Sequence, residues 1–279
     1  MSSVDATSTQ RAAVAPAPAA PRLRDLRLVA WQVRYTQRSF WRNRRGAIMS
    51  VVFPLMFLAI FGSLNQGQTI DTRGHLKFID FFVPGIIAYA VTLATFNTTA
   101  MTFTALREKG ILKRLRTTPL PNWVYVGGVV GSTLLVMVVS TAILLLVGTI
   151  VFGAHIPTRT MPAVLVTLAL GSTAMTMLGI GASRLVPNME SGMGILTLIT
   201  LPITFISNVF YPLDGAPSWL NDIAKAFPLR PLADGMQHAF DPRTTGLGFV
   251  GHDLLTLGLW TVAGAAIMRG TLRRLQARD

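Results

Sequence analysis

The sequence predicts an all-α polytopic membrane protein with six transmembrane helices. Of its 279 residues, 51% are hydrophobic and only 13% are charged, whereas a soluble domain carries about 25% charged residues. The charge is also segregated, because most of it lies near the two ends and in one short central segment. Long apolar stretches between charged clusters are typical of a chain that crosses a bilayer several times.

The N-terminal part predicts two different elements. Residues 1–21 are rich in Ala, Pro, Ser and Thr and contain no apolar run, so we expect a disordered cytoplasmic tail. A signal peptide would need an apolar core of about 7–15 residues. Residues 22–45 predict an amphipathic helix in the inner membrane interface, with Trp31 and Trp41 as anchors. The alternative is a basic flank that stops translocation.

Residues 46–279 predict the transmembrane domain. Each predicted span has roughly the 17–25 residues needed to cross a bilayer, or somewhat more. The predicted spans are 46–64, 81–104, 124–152, 161–183, 193–212 and 247–268. Pro54, Pro84 and Pro202 lie in these stretches and mark possible kinks.

The basic residues predict the orientation. With the N-terminus inside, 19 of the 25 Lys/Arg fall on cytoplasmic segments, as the positive-inside rule requires. Both termini are then cytoplasmic, and the protein lies in the cytoplasmic (inner) membrane. The net charge of +13 is explained by attraction to anionic lipid rather than by nucleic acid, because most basic residues flank apolar spans.

A basic loop at residues 107–120 separates the second and third spans. It places five Lys/Arg within residues 107–116, so it cannot lie in hydrocarbon and must face the cytoplasm. Ile111, Leu112 and Leu115 occur among the charges at helical spacing. We therefore expect a short helix that docks on a partner, with Glu108 near the start of that helix, where negative charge is favoured.

Residues 212–246 predict a re-entrant helical hairpin on the outer face. Two apolar pieces, 219–227 and 232–240, are too short to span and are separated by Pro228 and Pro231. The alternative is an ordinary external loop. We expect Trp219 at the membrane interface. We also expect Asp222, Lys225, Arg230 and Asp234 to pair with one another or to face water.

The spans lack the groups that catalysis or ion coupling requires. Residues 46–70, 81–106, 117–154, 160–183 and 191–213 contain no Asp, Glu, Lys, Arg or His, whereas ion-coupled carriers usually bury carboxylates or histidines. No lysine follows a glycine, so the chain has no Walker A loop. We expect no enzyme activity, no metal site and no cofactor on this chain. The chain has no cysteine, which also excludes thiolate chemistry.

Small and polar residues within the spans have two interpretations. Gly127 and Gly131 form a Gly-x-x-x-Gly pair that favours ordinary helix packing, although a mobile seam is the alternative. Polar side chains either face a transported substrate or bond helix to helix. The candidates for the substrate pathway are Asn97, Thr204, Ser207 and Asn208.

Two regions resemble the permease subunit of type-2 ABC exporters, the family that includes the daunorubicin-type drug-resistance permeases. The first is REKGILKRLRTTPL at 107–120. The second comprises SNVFYPL at 207–213, PSWL at 217–220, FPL at 227–229 and PL at 231–232. Ile111 departs from the family, in which many relatives have threonine.

The resemblance implies two paired permeases, identical or paralogous, each resting on a separate cytoplasmic ABC ATPase that binds ATP and Mg²⁺. The 22–45 helix and the 107–120 loop would contact that ATPase. The residues expected to couple the two subunits are Glu108, Gly110, Leu112, Arg114, Leu115, Arg116 and Pro119. The residues expected to form an outer gate are Pro212, Trp219, Phe227, Pro228 and Pro231.

Three functions remain open from the sequence. The leading one is a permease subunit of an ATP-driven ABC exporter that moves a drug, a hydrophobic natural product or a lipid-like substrate outward. The second is a carrier driven by an ion gradient. The third is a membrane scaffold that anchors a soluble partner without transport. The sequence does not name the substrate, because an apolar cavity with hydroxyls and amides suits many compounds.

The predicted topology can be tested with single cysteines, because the native chain has none. We expect a membrane-impermeant thiol reagent to label Arg73→Cys and Arg243→Cys in intact cells and to leave Lys113→Cys and Arg274→Cys unlabelled. The reverse labelling pattern would contradict the predicted orientation.

Overall fold

The computed structural model describes residues 23–42, 44–111 and 122–277, and within these ranges the chain is mostly helical. The predicted tail at 1–21 lies outside them. The helices are α1 (Leu23–Arg42), α2 (Arg44–Leu64), α3 (Phe78–Glu108), α4 (Asn122–Phe152), α5 (Met161–Ala182), α6 (Met189–Ile206), α7 (Ser218–Ala226), α8 (Leu229–Phe240) and α9 (Gly251–Ala277). Between α2 and α3, Thr69–Ile70 and Leu76–Lys77 form a small antiparallel hairpin.

Five of the helices are long and apolar enough to cross a membrane, namely α3, α4, α5, α6 and the Gly251–Thr271 part of α9. This confirms the all-α polytopic class. In α2 the apolar stretch Val51–Leu64 is shorter, so six spans remain a prediction. The prolines expected in spans, Pro54, Pro84 and Pro202, lie inside α2, α3 and α6.

The central helix of the bundle is α3. It packs against α2, α4, α5 and α8, and its N-terminal half is buried on every side. The buried end of α3 is held by Asp80 in its first turn, whose carboxylate accepts a hydrogen bond from the backbone N–H of His155 at 2.7 Å. A sequence that is apolar all round, as in α3, is typical of a helix surrounded by other helices.

A π-helical turn at Leu93–Asn97 interrupts α3. Thr98 donates its hydroxyl to the Leu93 carbonyl at 3.2 Å, which satisfies one carbonyl of the widened turn. The neighbouring helix α5 presents Gly179 there, and a Cβ on Gly179 would lie 2.5 Å from the Phe96 oxygen. A glycine is therefore needed where the widened turn meets α5.

Helix α1 packs along α4 on a surface of small residues. Val29 and Val33 face Gly127 and Gly131, and a Cβ added at Gly131 would lie 2.7 Å from a Val33 methyl. Gln37 donates to the Ser132 carbonyl of α4 at 2.7 Å. The Gly-x-x-x-Gly pair thus serves helix packing, and part of the apolar face predicted for α1 is covered by protein.

Several predicted boundaries differ from the structure, and the last helix, for example, extends to Ala277 rather than to 268. The span predicted to reach residue 212 stops at Ile206, because Asn208 adopts a left-handed conformation with φ of 61°. The break in the hairpin lies at Phe227–Pro228 rather than across 228–231. Pro231 is accommodated in the first turn of α8. Backbone N–H groups in a first turn have no partner within the helix, so the N–H that proline lacks is not missed there.

An aromatic cluster fills the space between α2, α3 and the segment after α6. Phe210 is its centre, with ring centroids 5.3 Å from Phe57 and 5.5 Å from Tyr89. Offset and edge-to-face ring pairs of this kind contribute about 0.5–1.5 kcal/mol each beyond the burial of their area. The irregular backbone after α6 is therefore anchored by the side chain of Phe210.

We expect Gly179→Ala to lower the free energy of unfolding by about 1–3 kcal/mol, because the new methyl would overlap a backbone carbonyl that cannot rotate away. Thermal unfolding of the purified chain in detergent measures the change. The matched control is Gly194→Ala on α6, where a Cβ has no atom within 4 Å. Equal stability of the two variants would contradict this account of the α3–α5 contact.

Candidate functional site

Polar side chains gather at both ends of the helical bundle. One end carries residues 107–111 and the turn 183–189, and we call it the loop end. The other carries Asn208 and the α7–α8 hairpin, and we call it the hairpin end. Between them the described spans are largely apolar, so each end is treated as a separate part of the site.

Arg107 holds the turn that joins α5 to α6 at the loop end. Its guanidinium donates to the carbonyls of Ser183 at 3.1 Å and Pro187 at 2.9 Å, and also to that of Val186. The Ser183 carbonyl ends α5, and carbonyls at the end of a helix carry partial negative charge and lack partners within the helix. An arginine side chain, with a positive charge and five N–H donors, can bond several such carbonyls at once.

Glu108 holds the N-terminal end of α6. Its carboxylate accepts a hydrogen bond from the backbone N–H of Met189 at 2.8 Å, and Asn188 caps the same turn through Ser191 N–H at 2.9 Å. A carboxylate is favoured at a helix N-terminus because unpaired N–H groups point towards it. Arg107 and Glu108 thus bind the two sides of one turn with opposite charges.

This arrangement corrects the predicted position of Glu108. The sequence placed it near the start of a loop helix, whereas it is the last residue of α3. The helix of the span continues through the charged residues and stops only where Gly110 adopts φ of 64°, a conformation that glycine adopts at helix ends without steric cost. Negative charge does lie at a helix start, but that helix is α6.

Of the other predicted coupling residues, Leu112, Arg114, Leu115, Arg116 and Pro119 lie outside the described residues. Sequence reasoning missed Arg107 and Arg184 as contacts within the chain. Arg184 donates to the Gly270 carbonyl of α9 at 2.5 Å. We call Arg107, Glu108 and Arg184 the loop-end clamp, since they tie α3, α5, α6 and α9 together.

At the hairpin end, Asn208 makes hydrogen bonds through its side chain and its backbone. Its amide nitrogen donates to Asp234 at 2.8 Å, and its amide oxygen accepts from Leu213 N–H at 2.9 Å. Its carbonyl accepts from the Gln237 side chain at 2.7 Å. The end of α6 is therefore bonded both to the following loop and to α8.

Ion pairs extend these contacts. Arg230 pairs with Asp234 at 2.6 Å, which confirms the predicted pairing of hairpin charges. Arg73 donates to Gln237 at 3.2 Å and pairs with Asp214 at 2.9 Å. The Arg73 guanidinium, which hydrogen-bonds Asp214, holds the pKa of that carboxyl below its ordinary value. We call Arg73, Asn208, Asp214, Arg230, Asp234 and Gln237 the hairpin-end network.

A polar cavity of about 310 Å³ opens beside this network. Its lining combines network residues with His238, Asp241 and Asp253 from α8, the loop after it and α9. Within the described ranges, no group of three or more His, Asp or Glu side chains is placed to hold a metal ion. The cavity is thus polar, but its arginines and two of its aspartates already bond to protein groups.

The predicted gate residues differ in burial. Pro228 and Pro231, at the start of α8, are buried, Pro212 and Phe227 are half-buried, and Trp219 is 62% exposed. Close packing supports the hairpin end from α3, because a Cβ on Gly85 would lie 2.3 Å from the Val209 oxygen. Sequence reasoning missed Arg73, Asp214 and Gln237, which stand outside the recognisable motifs.

Two of the four predicted pathway residues have hydrogen-bonded side chains, and two have an unpaired side-chain oxygen. Thr204 donates to the Thr200 carbonyl at 2.7 Å within its own helix, and Asn208 belongs to the hairpin-end network. Asn97 Oδ1 and Ser207 Oγ are buried without a hydrogen-bond partner among the described residues. Asn97 also ends the π-helical turn of α3. These two side chains retain polar capacity that this chain leaves unused.

Helices of membrane-spanning length with charged residues at their ends indicate a multi-pass membrane protein. Comparison with known proteins gives the family: the profile of the ABC-2 type transporters matches residues 27–240. The chain therefore belongs to the ABC-2 type transporter permease family. The matched region extends from α1 through α8 and includes Arg107, Glu108 and Asn208.

Individual relatives agree with this assignment. The chain is 30% identical over 229 residues to the daunorubicin resistance ABC transporter permease protein DrrB1 of Streptomyces coeruleorubidus, covering 78% of this chain and 77% of the relative. It is 25% identical over 194 residues to the inner membrane transport permease YadH of Escherichia coli K12, covering 68% and 73% of the two chains.

The hairpin-end network should weaken in acid. Because the folded pKa of Asp214 is below its ordinary value, its ionised carboxylate stabilises the fold above that value, and this stabilisation is lost as pH falls through the folded pKa. We expect the melting temperature to fall less between about pH 5 and about pH 2.5 in Asp214→Asn than in the parent chain. Asp222→Asn, which removes an exposed carboxylate on α7, should behave like the parent. Identical pH profiles for Asp214→Asn and the parent would contradict the assigned ion pair.

Proposed function

We propose that this chain is the transmembrane permease subunit of an ATP-driven ABC exporter. It moves a drug, a hydrophobic natural product or a lipid-like substrate out across the cytoplasmic membrane. The observation that carries the proposal is the family match from α1 to α8. The named drug-resistance relative favours an amphipathic substrate and outward transport, at 30% identity.

Energy enters through a separate cytoplasmic ABC ATPase that binds ATP and Mg²⁺. The sequence supports this because it lacks a Walker A lysine. We assign the ATPase contact to residues 107–120 and to the exposed face of α1, which carries Arg34, Tyr35 and Arg38. Glu108 and Gly110 then lie at the junction between the docking loop and the α3 span, where docking is transmitted to the bundle.

The membrane arrangement follows from the exposed apolar surface. Large side chains on α4, α6 and α9 point away from this chain, with Ile150 at 73% and Leu198 at 76% exposure. Lipid and a second permease, identical or paralogous, cover this surface in our proposal. The remaining span, first in chain order, is α2, whose 21 residues reach the length needed to cross. Both termini and the loop end are then cytoplasmic.

The α7–α8 hairpin forms the outer gate and dips partway into the bilayer. Support comes from the burial of α8 against α3 and α5, and from the exposure of Trp219, which suits an interfacial ring. We assign substrate contacts to Asn97 and Ser207, because their side-chain oxygens are buried and have no hydrogen-bond partner among the described residues. Thr204 and Asn208, whose side chains are hydrogen-bonded, support the gate instead.

Transport in vesicles tests the proposal. We expect inside-out vesicles that contain this chain and its ABC ATPase to accumulate ethidium or a fluorescent phosphatidylcholine when ATP is added. Vesicles with an ATPase lacking its Walker A lysine serve as the control and should accumulate neither probe. Accumulation driven by a proton or sodium gradient without the ATPase would favour a carrier. Normal efflux after deletion of the chain, with the ATPase mislocalised, would favour a scaffold.

A further inference from the structure

We propose that the polar cavity beside the hairpin-end network binds the protonated amine of an amphiphile, with the Asp253 carboxylate as its anionic contact. The cavity has a volume of about 310 Å³ and lies between the 69–77 hairpin, α8 and the first turn of α9. In the proposed exporter, on which this assignment rests, the amine belongs to the transported compound or to a lipid at the gate.

The two arginines of the cavity wall are neutralised by carboxylates of the same chain. Arg73 donates two hydrogen bonds to Asp214, at 2.9 and 3.0 Å, and Arg230 pairs with Asp234 at 2.6 Å. An anionic ligand would have to displace one of these carboxylates, which would leave a charged group without its partner. The arginines therefore do not make the cavity an anion site.

The other side chains that extend the cavity wall are also bonded to protein. Asn208 uses both ends of its amide, and Gln237 donates to the Asn208 carbonyl at 2.7 Å. Asp241 accepts from the Arg243 guanidinium at 2.9 and 2.7 Å. Of the eight polar side chains that line the cavity, six are therefore satisfied within the chain, and His238 and Asp253 remain.

Asp253 lacks a firm cationic partner. Its side chain is only 16% exposed, and no arginine or lysine among the described residues pairs with it. His252 approaches it, with Nδ1 at 3.6 Å on a side chain that is 81% exposed, but this distance is too long for a hydrogen bond. A largely buried carboxylate is stabilised by a cation that donates hydrogen bonds to it, so Asp253 has a binding capacity that the described chain leaves unused.

A protonated amine matches this capacity. It brings a positive charge and N–H donors to the Asp253 carboxylate. A further N–H can be accepted by the unprotonated imidazole of His238, which lines the same cavity. A quaternary ammonium group has the charge but no N–H, so it would bind less tightly.

The size and lining of the cavity limit which part of the ligand enters. Pockets that enclose a drug-sized ligand have volumes of about 300–1,000 Å³ and mostly apolar walls. This cavity lies at the low end of that range, and its apolar lining consists of Leu76 and Val250. It therefore takes the amine end of an amphiphile and leaves the apolar part outside.

Binding of dansylcadaverine, a fluorescent primary amine, tests the site on the full chain in phosphatidylcholine nanodiscs. We expect saturable binding of this probe and at least about tenfold weaker binding of N-butyl dansylamide, which lacks the amine. Asp253→Asn should raise the Kd for dansylcadaverine by about tenfold or more, because the charge-assisted hydrogen bonds are lost. Asp253→Glu, which retains the charge, should recover part of the affinity.

The matched control is Asp222→Asn, which removes an exposed carboxylate of α7 that does not line the cavity. It should bind dansylcadaverine like the parent chain. Val250→Phe narrows the cavity without changing its charge and should also weaken binding. This variant decides the test if the melting temperature shows that Asp253→Asn is poorly folded.

Replacing part of the phosphatidylcholine with phosphatidylethanolamine distinguishes the two sources of an amine. Competition by this lipid supports a headgroup site, whereas unchanged dansylcadaverine binding supports a site for the transported compound. Parent-like affinity in a folded Asp253→Asn, or in Val250→Phe where that variant does not fold, overturns the amine site. Equal binding of the two dansyl probes overturns it as well.

The amine site and the exporter fail separately. Loss of the amine site with intact ATP-driven accumulation of fluorescent phosphatidylcholine leaves the exporter in place. Amine binding without ATP-driven accumulation of any probe overturns the exporter and leaves a binding site of this chain.

Discussion

The structure depends on how its helix ends satisfy their backbone hydrogen bonds. Where such an end is buried in a low-dielectric medium, an unpaired N–H or carbonyl costs several kcal/mol, and the exposed start of α6 also receives a substitute partner. Here the substitutes are long polar side chains from other helices. Arg107 serves the end of α5, Glu108 the start of α6, and Gln237 the carbonyl after α6. The polar clusters therefore lie where the helices break, because their side chains bond the backbone groups that each break leaves unpaired.

Glycine and asparagine decide where these breaks lie. Gly110 ends α3 and Asn208 ends α6, both in the left-handed conformation, and Gly85 lets the carbonyl of Val209 approach α3. The π-helical turn of α3 follows the same logic, because Gly179 leaves room for the displaced Phe96 carbonyl. Irregular backbone is tolerated at membrane depth only where protein surrounds it. Gly85 and Gly179 allow a neighbouring helix to approach the irregular backbone closely enough to surround it.

The sequence alone predicted the fold class, the approximate spans and the family, because these depend on composition, periodicity and contiguous motifs. The hydrogen bonds between residues far apart in the chain could not be predicted from the sequence. Nothing in the order of residues pairs Arg107 with a turn 76 to 80 positions later, or Arg73 with Asp214 and Gln237. Glu108 was singled out correctly as the acid of the loop but assigned to the wrong helix, because a helix start and a helix end look alike within a charged segment. Pro231 was misplaced for a similar reason, since a first-turn proline resembles a breaker.

The two helices that meet the loop-end clamp differ in how firmly the rest of the chain holds them. Helix α5 is matched to α9 by glycines and bonded to it by Arg184, so displacing it would disrupt close packing along its length. Helix α6 packs on α3 along one face only, where Leu196 is fully buried and a Cβ on Gly192 would lie 2.7 Å from the Met101 sulfur. Its opposite face is exposed in this chain, with Leu198 at 76%. Two helices joined by one turn are therefore held differently, because α5 is mostly enclosed by protein whereas α6 leaves one whole face for lipid or another subunit to cover.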